Sequence, residues 1–200
     1  MNKPNYAAAH DTVRITAKRF AASPFVEKYR TPGIIFGVYA GRFYGLTVGD
    51  DPVKGYWTLR RNAVLYDVPE RPIEIEGPDA LALFGKVFAR PLESLKVGRG
   101  RYAIASLPDG GVLMDGIVFR LSDDRYWYVQ ADGEFMTWLS SHATGLDVRV
   151  RDPHAWVLQV QGPKSMEVLA RACDGGAPEE FKYFDVFQGH MGGQPVLVSR

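Results

Sequence analysis

The segment that decides the fold spans residues 73–88 and reads IEIEGPDALALFGKVF. Its first four residues alternate apolar Ile with charged Glu, which is typical of a half-buried strand. A Gly-Pro-Asp turn follows, and Pro suits the first turn of a helix because its missing N–H would have no partner there. The later apolar residues recur on one helical face, so the segment predicts a strand, a turn and an amphipathic helix.

A second segment, residues 157–173, repeats this arrangement as VLQVQGPKSMEVLARAC. Gly77 and Gly162 open the two turns, 85 positions apart. The second helix places Met166, Leu169 and Cys173 on one face. The two segments are either related elements of two layers or domains, or two examples of a common strand–helix junction.

The sequence between these segments predicts an antiparallel meander. Strands are expected at 101–106, 112–121 and 125–130, and Pro-Asp-Gly-Gly at 108–111 has the residue types of a turn. A short helix near 135–139 and a strand at 148–150 complete the order β-α-β-β-β-α-β. This order predicts an α+β fold with antiparallel sheets and a split βαβ, or ferredoxin-like, middle unit.

Elements are also expected near both ends of the chain. Residues 10–20 have mixed charge and predict a short amphipathic helix. Residues 34–46 are apolar, aromatic and Gly-rich, which favours one or two strands. Residues 194–200 predict a strand at the very end of the given sequence. It either pairs with an earlier strand, which would protect its edge, or belongs to a longer natural chain.

The composition excludes several classes of protein. The 200 residues include 24 Lys and Arg against 23 Asp and Glu, a net charge of +1. This balance gives no reason to expect a nucleic-acid or anionic-membrane binder. No apolar run approaches the ~20 residues of a membrane helix, and the N-terminus lacks an apolar signal sequence. The single cysteine, Cys173, fits a reducing compartment, so a cytoplasmic protein is expected.

Motifs for metal or nucleophilic chemistry are missing from the sequence. The four histidines are scattered rather than paired at ligand spacing, so no metal site is predicted. Neither a G-x-S-x-G motif nor a phosphate-binding G-x-x-x-x-G-K motif is present. Cys173 lies at the end of a predicted helix with no obvious base beside it, so a reactive thiolate is not expected.

Asp115 is the residue that the pattern singles out. It interrupts the apolar run VLMDGIVF at 112–119, where a buried carboxylate costs roughly several kcal/mol unless it is paired or used. Gly116 beside it indicates a bulge or a close backbone approach to a ligand. The alternative is a hairpin turn, because Asp-Gly between apolar runs is a strong hairpin signal. A second turn so soon after 108–111 would leave a strand of about three residues, which favours the functional carboxylate.

These residues resemble a known family. The sequences LYDV at 65–68, IEGPDA at 75–80, GRY at 100–102, DGGV at 109–112 with Asp115, and LQVQGPK at 158–164 resemble the aminomethyltransferase family of the glycine-cleavage T-protein in order and spacing. The likeness covers about residues 56–200. The N-terminal part and DVPER at 67–71 are more similar to the dimethylsulfoniopropionate demethylase branch. The T-protein has Ser-His-Met where this chain has Pro69-Glu70-Arg71.

The resemblance implies a folate-binding aminomethyltransferase-type fold of three domains around a central channel. Residues 1–70 and 154–200 would form a discontinuous and incomplete first domain, and residues 71–153 a middle α+β domain. The third domain would be absent, because in the family a further strand with an acidic folate-binding residue follows the equivalent of Arg200. The chain is therefore expected to be truncated at its C-terminus. A homodimer is left open.

The same resemblance implies tetrahydrofolate as the cofactor and gives roles to four residues. Asp115 would be the catalytic aspartate, near N5 of tetrahydrofolate. Tyr102 and Gln130 would line the folate channel. Phe119 would also contact folate, and it stands where the T-protein has a tyrosine, so one polar contact would be lost.

The implied function is a tetrahydrofolate-dependent methyltransferase or demethylase acting on a small methylated compound such as a sulfonium. A sulfonium methyl needs mainly positioning, because its leaving group is a neutral thioether. An aminomethyl or methoxy substrate needs an acid, and the sequence offers no convincing one. Glycine-cleavage-type aminomethyl transfer and aromatic O-demethylation are the alternative reactions. A non-catalytic folate-binding protein on the same fold is the alternative class.

Overall fold

A computed structural model describes residues 20–200. Its helices are α1 (Val26–Tyr29), α2 (Pro52–Arg61), α3 (Ala80–Val87), α4 (Met136–His142) and α5 (Ser165–Ala172). Its strands are β1 (Ala21–Ala22), β2 (Ile35–Tyr39), β3 (Arg42–Thr47), β4 (Val64–Val68), β5 (Arg71–Glu76), β6 (Arg99–Ser106), β7 (Val112–Arg120), β8 (Arg125–Gln130), β9 (Arg149–Arg151), β10 (Val157–Gln161), β11 (Val186–Met191) and β12 (Gln194–Ser199). The helix predicted over 10–20 lies, apart from Phe20, outside the described residues.

The largest sheet contains β5 to β9 and is antiparallel throughout. Its spatial order is β6-β7-β8-β5-β9, and its elements follow the predicted chain order β-α-β-β-β-α-β. Because β8 and β9 are each antiparallel to β5, they run parallel to each other with β5 between them. The unit β8-α4-β9 is therefore the split βαβ element, and the predicted α+β fold is confirmed.

Helices α3 and α4 cover one face of this sheet, and the main hydrophobic core lies between the helices and the sheet. Helix α3 buries Ala80, Leu83, Phe84 and Val87. The Phe84 ring meets the Tyr126 ring of β8 edge-on, with centroids 5.1 Å apart, a preferred aromatic geometry. The alternate side chains of each strand point to the opposite face, which α3 and α4 do not cover and which is called the helix-free face below.

The two repeated Gly-Pro turns have a common structural cause. Gly77 and Gly162 both have positive φ, 144° and 123°. A Cβ on Gly77 would lie 2.4 Å from the carbonyl oxygen of Asp147, and a Cβ on Gly162 would lie 2.3 Å from that of Asn62. Only glycine permits this backbone conformation and so close an approach. The two strand–turn–helix elements are thus built alike, although β5 and β10 belong to different sheets.

Strand β5 corrects one expectation. The Ile-Glu alternation at 73–76 predicted a half-buried strand, yet Ile73, Glu74 and Ile75 are all buried. The Glu74 carboxylate is held by the guanidinium groups of Arg125 and Arg151 and by Trp127 Nε1 at 2.9 Å. These charged partners on β8 and β9 compensate the burial of the carboxylate, which is why a polar position is tolerated inside.

Three smaller sheets complete the described part of the chain. Residues 34–46 form the hairpin β2–β3, as predicted, and β1 joins it. Strand β4 pairs with β10 along their full length. The terminal strand β12 pairs with β11, which is the pairing with an earlier strand that the sequence left open, although β11 itself was not predicted. The division into domains at residues 70 and 153 stays a prediction.

None of the helices within residues 20–200 has the length and apolar character that crossing a bilayer requires.

Candidate functional site

Tyr102 and Asp115 lie side by side on the helix-free face of the large sheet. In the β6–β7 ladder Tyr102 stands opposite Ile117, and Ile104 stands opposite Asp115. This register makes Tyr102 and Asp115 diagonal neighbours on one face, a separation that a long aromatic side chain can span. The Tyr102 hydroxyl donates a hydrogen bond to Oδ2 of Asp115. Donation to the carboxylate raises the pKa of the Tyr102 hydroxyl, with smaller contributions from burial and from the charge of Asp115.

Asp115 occupies the middle of a strand rather than a turn. The hairpin interpretation of Asp-Gly is therefore wrong. Of the two alternatives for Gly116, the bulge is also wrong, because Gly116 pairs in register with Ala103 and Gln130. The irregularity lies instead between Ala105 and Ser106. A Cβ on Gly116 would lie 2.3 Å from the carbonyl oxygen of Val129, so the glycine permits a close approach between strands. Asp115 is half-buried.

Phe119 lies on the same face as Asp115 but is covered by neighbouring side chains. It is four residues further along β7, so both side chains point to the same side of the strand. Phe119 is 4% exposed and packs with Leu121 and with Val186 of β11. In this arrangement Phe119 supports the sheet beside the Tyr102–Asp115 pair, and its ring is not open to solvent.

Gln130 does not join the pair. The preceding residue on β8 is Val129, which pairs with Ile117 of β7 and lies on the helix-free face. Because side chains alternate along a strand, Gln130 faces the helix side. It is 2% exposed, and its Nε2 donates to the carbonyl oxygen of Gly133 at 2.6 Å. The structure therefore places Gln130 where it orders the turn after β8.

The tip of the β2–β3 hairpin brings Tyr39 to the same region, a neighbour that the sequence pattern missed. The backbone N–H of Ala40 donates to Oδ1 of Asp132 at 2.7 Å, which fastens the hairpin tip to the end of β8. Burial raises the pKa of the Tyr39 hydroxyl, and the negative charges of Glu70, Asp132 and Asp115 raise it further. Three carboxylates thus lie close enough to act on the Tyr39 hydroxyl.

Glu70 is a second residue that joins the region. Burial raises the pKa of its carboxyl group. The position is fixed from behind by Arg42, which is 4% exposed and donates to the carbonyl oxygens of Glu70 and Ala155, both at 2.7 Å. The Arg42 guanidinium also stacks on the Trp156 ring at 4.1 Å. The sequence contains one indication that Glu70 differs from the T-protein, because Pro69-Glu70-Arg71 stands where the T-protein has Ser-His-Met.

Other reactive groups stay apart from this region. Within residues 20–200, no three His, Cys, Asp or Glu side chains are arranged to hold a metal ion. Cys173 follows the last residue of α5 and is buried. Burial, with a smaller effect of Asp174, raises the pKa of its thiol, which disfavours the thiolate.

Comparison with known proteins identifies the family. Residues 41–200 match the family described as the GCVT N-terminal domain. The chain belongs to the aminomethyltransferase family. The resemblance carried by the motifs between residues 65 and 164 is thereby confirmed.

Individual relatives of the family extend this finding. The chain is 33% identical to the trimethylamine-oxide aldolase of Ruegeria pomeroyi over 74% of the chain and 20% of that protein. It is 30% identical to the dimethylsulfoniopropionate demethylase of the same organism over 71% of the chain and 40% of that protein. The glycine cleavage system aminomethyltransferase T of Bartonella henselae superposes with a TM-score of 0.77 and 27% identity, over 86% of the chain and 48% of that structure. The chain thus spans between a fifth and about half of these relatives.

Proposed function

We propose that this chain is part of a tetrahydrofolate-dependent methyltransferase, with Asp115 as its catalytic residue. The observation that carries the proposal is the hydrogen bond from Tyr102 to Asp115 on the exposed face of β6 and β7. Membership of the aminomethyltransferase family supports it. The carboxylate of Asp115 belongs to a strand and has a fixed neighbour, which is the arrangement that a positioned catalytic group requires.

The residues at this face fit a folate ring. Asp115 offers a carboxylate acceptor for ring N–H groups, and Tyr102 offers an aromatic surface that is 40% exposed. Tetrahydrofolate, when bound, would supply N5 as the nucleophile that accepts the one-carbon group. Asp115 would orient N5 and stabilise the positive charge that develops there. Tyr102 would hold the Asp115 carboxylate in one orientation. Phe119 would support the sheet beside this pair, and Gln130 would order the turn after β8.

The carboxylates that act on Tyr39 support a cationic methyl donor. Glu70, Asp132 and Asp115 all act on the Tyr39 hydroxyl, and converging negative charges attract a sulfonium or ammonium centre. An aromatic ring also attracts such a cation. A relative that is named for demethylating dimethylsulfoniopropionate supports the sulfonium class.

Glu70 supports a second reaction, one-carbon transfer from an amine. An amine leaving group needs a proton, and Glu70 is a carboxyl group whose pKa is raised by burial. A raised pKa is what a general acid working near neutrality requires. The aminomethyltransferase name of the superposed Bartonella protein supports this alternative. In both reactions Asp115 keeps the same role.

The test is a single-turnover assay of methyl transfer under anaerobic conditions. The chain is mixed with tetrahydrofolate and a methylated sulfonium, amine or aryl ether, and 5-methyltetrahydrofolate is measured by chromatography. We expect transfer from the sulfonium, and loss of transfer with retained folate binding in Asp115→Asn. Asp123→Asn is the matched control, because the Asp123 side chain is 99% exposed. Folate binding without transfer from any donor would support the non-catalytic folate-binding protein instead.

A further inference from the structure

A small pocket lies beside the tip of the β2–β3 hairpin and is called the Arg42 pocket below. Its volume is about 280 Å³, which is close to the lower end of small-molecule sites. The pocket can therefore hold a group of a few heavy atoms. The lining residues that carry the argument are Ala40, Arg42, Arg71, Asp152, His154 and Trp156.

Arg42 is a buried charge without a counterion in the described part of the chain. It is 4% exposed, and no carboxylate among residues 20–200 forms an ion pair with it. Its guanidinium donates instead to the backbone carbonyl oxygens of Glu70 and Ala155. Burial lowers the pKa of Arg42, and nearby charges only partly offset this effect. A buried cation in this situation is stabilised by an anion that pairs with it.

The guanidinium of Arg42 keeps donors free for such an anion. Trp156 stacks on its flat face, with 4.1 Å to the ring centroid, which leaves the edges of the guanidinium available. A guanidinium has five N–H groups, and the two bonds to backbone carbonyl oxygens use only part of this set. In-plane N–H groups are the donors that bind a carboxylate.

The two other charged groups of the pocket neutralise each other. Asp152 accepts from Arg71 Nε at 3.0 Å and from the backbone N–H of His154 at 2.7 Å. Glu134 lies 3.6 Å from Arg71 as well, but its side chain is 55% exposed, so solvent screens its charge. Among the described lining residues, Arg42 is therefore the arginine that lacks a carboxylate partner.

Arg42 is the direct cross-strand partner of Tyr39. The two residues pair in the β2–β3 ladder and flank a turn at 40–41 whose φ values, 48° and 71°, fit type I′. Residues directly opposite in a ladder point to the same face, with Cβ atoms about 5 Å apart. The cation of the pocket thus neighbours the tyrosine on which three carboxylates act.

The hairpin tip also places the pocket next to the candidate catalytic site. Ala40 lines the pocket, and its N–H donates to Oδ1 of Asp132 at 2.7 Å. The N–H of the preceding residue, Ala131, donates to the carbonyl oxygen of Asp115 at 3.2 Å. The pocket therefore lies beside the end of β8 that adjoins Asp115.

We propose that the Arg42 pocket binds a carboxylate of the methyl donor, so that the donor is a zwitterion whose methylated cationic centre faces Tyr39. This inference rests on the proposed function, which places a cationic centre near Tyr39. The two opposite charges of such a donor match an aromatic ring beside carboxylates and a buried guanidinium. Because the two side chains are neighbours in the ladder, the carboxylate is only a few bonds from the cation. A donor without a carboxylate would leave Arg42 unpaired in the pocket.

The experiment compares donors that differ only in the negative charge, using the single-turnover transfer assay. Dimethylsulfonioacetate and 3-(dimethylsulfonio)propionate are each paired with the sulfonium alcohol of the same chain length. We expect the better carboxylate to half-saturate the protein at about tenfold lower concentration than its alcohol. The saturating rates should be equal, because Arg42 binds the donor without taking part in the chemical step.

Variants of Arg42 assign this preference to the pocket. Arg42→Gln should bring the half-saturating concentration of the carboxylate up to that of the alcohol, whereas Arg42→Lys, which keeps the charge, should retain part of the preference. The matched control is Arg61→Gln. Arg61 also stacks on a tryptophan, Trp57, at 4.5 Å but lies outside the pocket, so this variant should keep the full preference.

The outcomes separate this inference from the proposed function. Methyl transfer with equal half-saturating concentrations in both donor pairs would overturn the inference and leave the proposed function intact, and this comparison needs no variant to fold. A preference that survives in Arg42→Gln, or a loss that affects carboxylate and alcohol equally, would also overturn it. If no donor transfers its methyl group, the proposed function fails and the inference fails with it.

A last arm distinguishes the donor from a free carboxylate as the occupant of the pocket. Sodium propionate should compete with the carboxylate donor in the unaltered chain and should not do so in Arg42→Gln. Propionate that binds in a calorimetric titration without competing with the donor would assign the pocket to a separate small anion and overturn the inference.

Discussion

The hydroxyl of Tyr102 on β6 donates a hydrogen bond to Oδ2 of Asp115 on β7. The bond joins diagonal neighbours in a regular antiparallel ladder, so the carboxylate is oriented by the sheet rather than by a loop. A functional group on a strand is held more precisely than one on a flexible connection. This pair is the feature from which the proposed chemistry follows.

Replacing Tyr102 by Phe should slow one-carbon transfer while leaving the fold intact. The change removes one hydrogen bond to a charged group, and a loss of about 1.4 kcal/mol in the transition state corresponds to tenfold in rate. The single-turnover rate of 5-methyltetrahydrofolate formation measures the effect. Tyr183→Phe is the control, since Tyr183 is 71% exposed. Equal rates for wild type and Tyr102→Phe would show that the pair has no part in transfer.

Gly116→Ala should destabilise the protein by about 2–4 kcal/mol, because the added methyl group meets the backbone of β8. Its Cβ would lie 2.3 Å from the carbonyl oxygen of Val129 and 2.9 Å from the Tyr128 ring. Gly85→Ala on α3 is the contrasting variant, because nothing lies within 4 Å of its Cβ. It should stabilise by up to about 1 kcal/mol through helix propensity. Urea unfolding of both variants decides the matter, and a harmless Gly116→Ala would contradict the packing described.

Glu74→Gln should destabilise the protein by about 2–3 kcal/mol at neutral pH. Burial tends to raise the pKa of Glu74, but hydrogen bonds from Trp127, Arg125 and Arg151 outweigh it and lower the pKa below its usual 4.5. The stabilisation is therefore fully present above pH 4.5 and is lost as pH falls through the lower folded value. Denaturant midpoints at neutral and acidic pH measure this difference.

The control for that prediction is Glu76→Gln on the same strand. Glu76 is 40% exposed at its side chain and lies 3.3 Å from Arg151, so the substitution should cost less than about 1 kcal/mol. Equal losses in the two variants would mean that burial of Glu74 is not what makes its partners important.

Stability should fall between pH 10 and pH 12 in part through Tyr29. Burial first, and then the hydrogen bond to Asp67 at 2.7 Å, raise the pKa of Tyr29 from 10.0 to about 12. The folded state keeps this proton longer, so the contribution is complete below pH 10 and disappears as pH rises through 12. Tyr29→Phe should therefore show a shallower loss of unfolding free energy across this range. Tyr66→Phe, at an exposed position of β4, should follow wild type.

The large sheet could be predicted because its signals are local. The alternation at 73–76, the turn residues at 108–111 and the helical stripe from Ala80 each act within a short window. The order of strands in space could not be read in this way. The burial of Glu74 depends on Arg125 and Arg151, which are 51 and 77 positions away in the sequence. The residue pattern of β5 contains no information about these two partners.

The residue pattern alone predicted only one member of the candidate site. Asp115 stood out because a carboxylate interrupted an apolar run, whereas Tyr102 was predicted from the family resemblance and the register places it beside Asp115. Tyr39 and Glu70 interrupt no such pattern. Tyr39 reaches the region through the hairpin tip that Asp132 holds, and Glu70 lies between β4 and β5, where Arg42 binds its carbonyl oxygen. Gln130 was assigned by resemblance alone, and the alternation of β8 turns it to the helix side.

An anaerobic calorimetric titration of the chain with tetrahydrofolate, repeated with Asp115→Asn and with the Asp123→Asn control, tests for a folate site at the Tyr102–Asp115 pair. We expect saturable one-to-one binding in all three proteins, with the binding enthalpy altered only in Asp115→Asn, because only there is the group that would face N5 changed. The absence of saturable binding to the unaltered chain, or an identical enthalpy in all three, would contradict a folate site at the Tyr102–Asp115 pair.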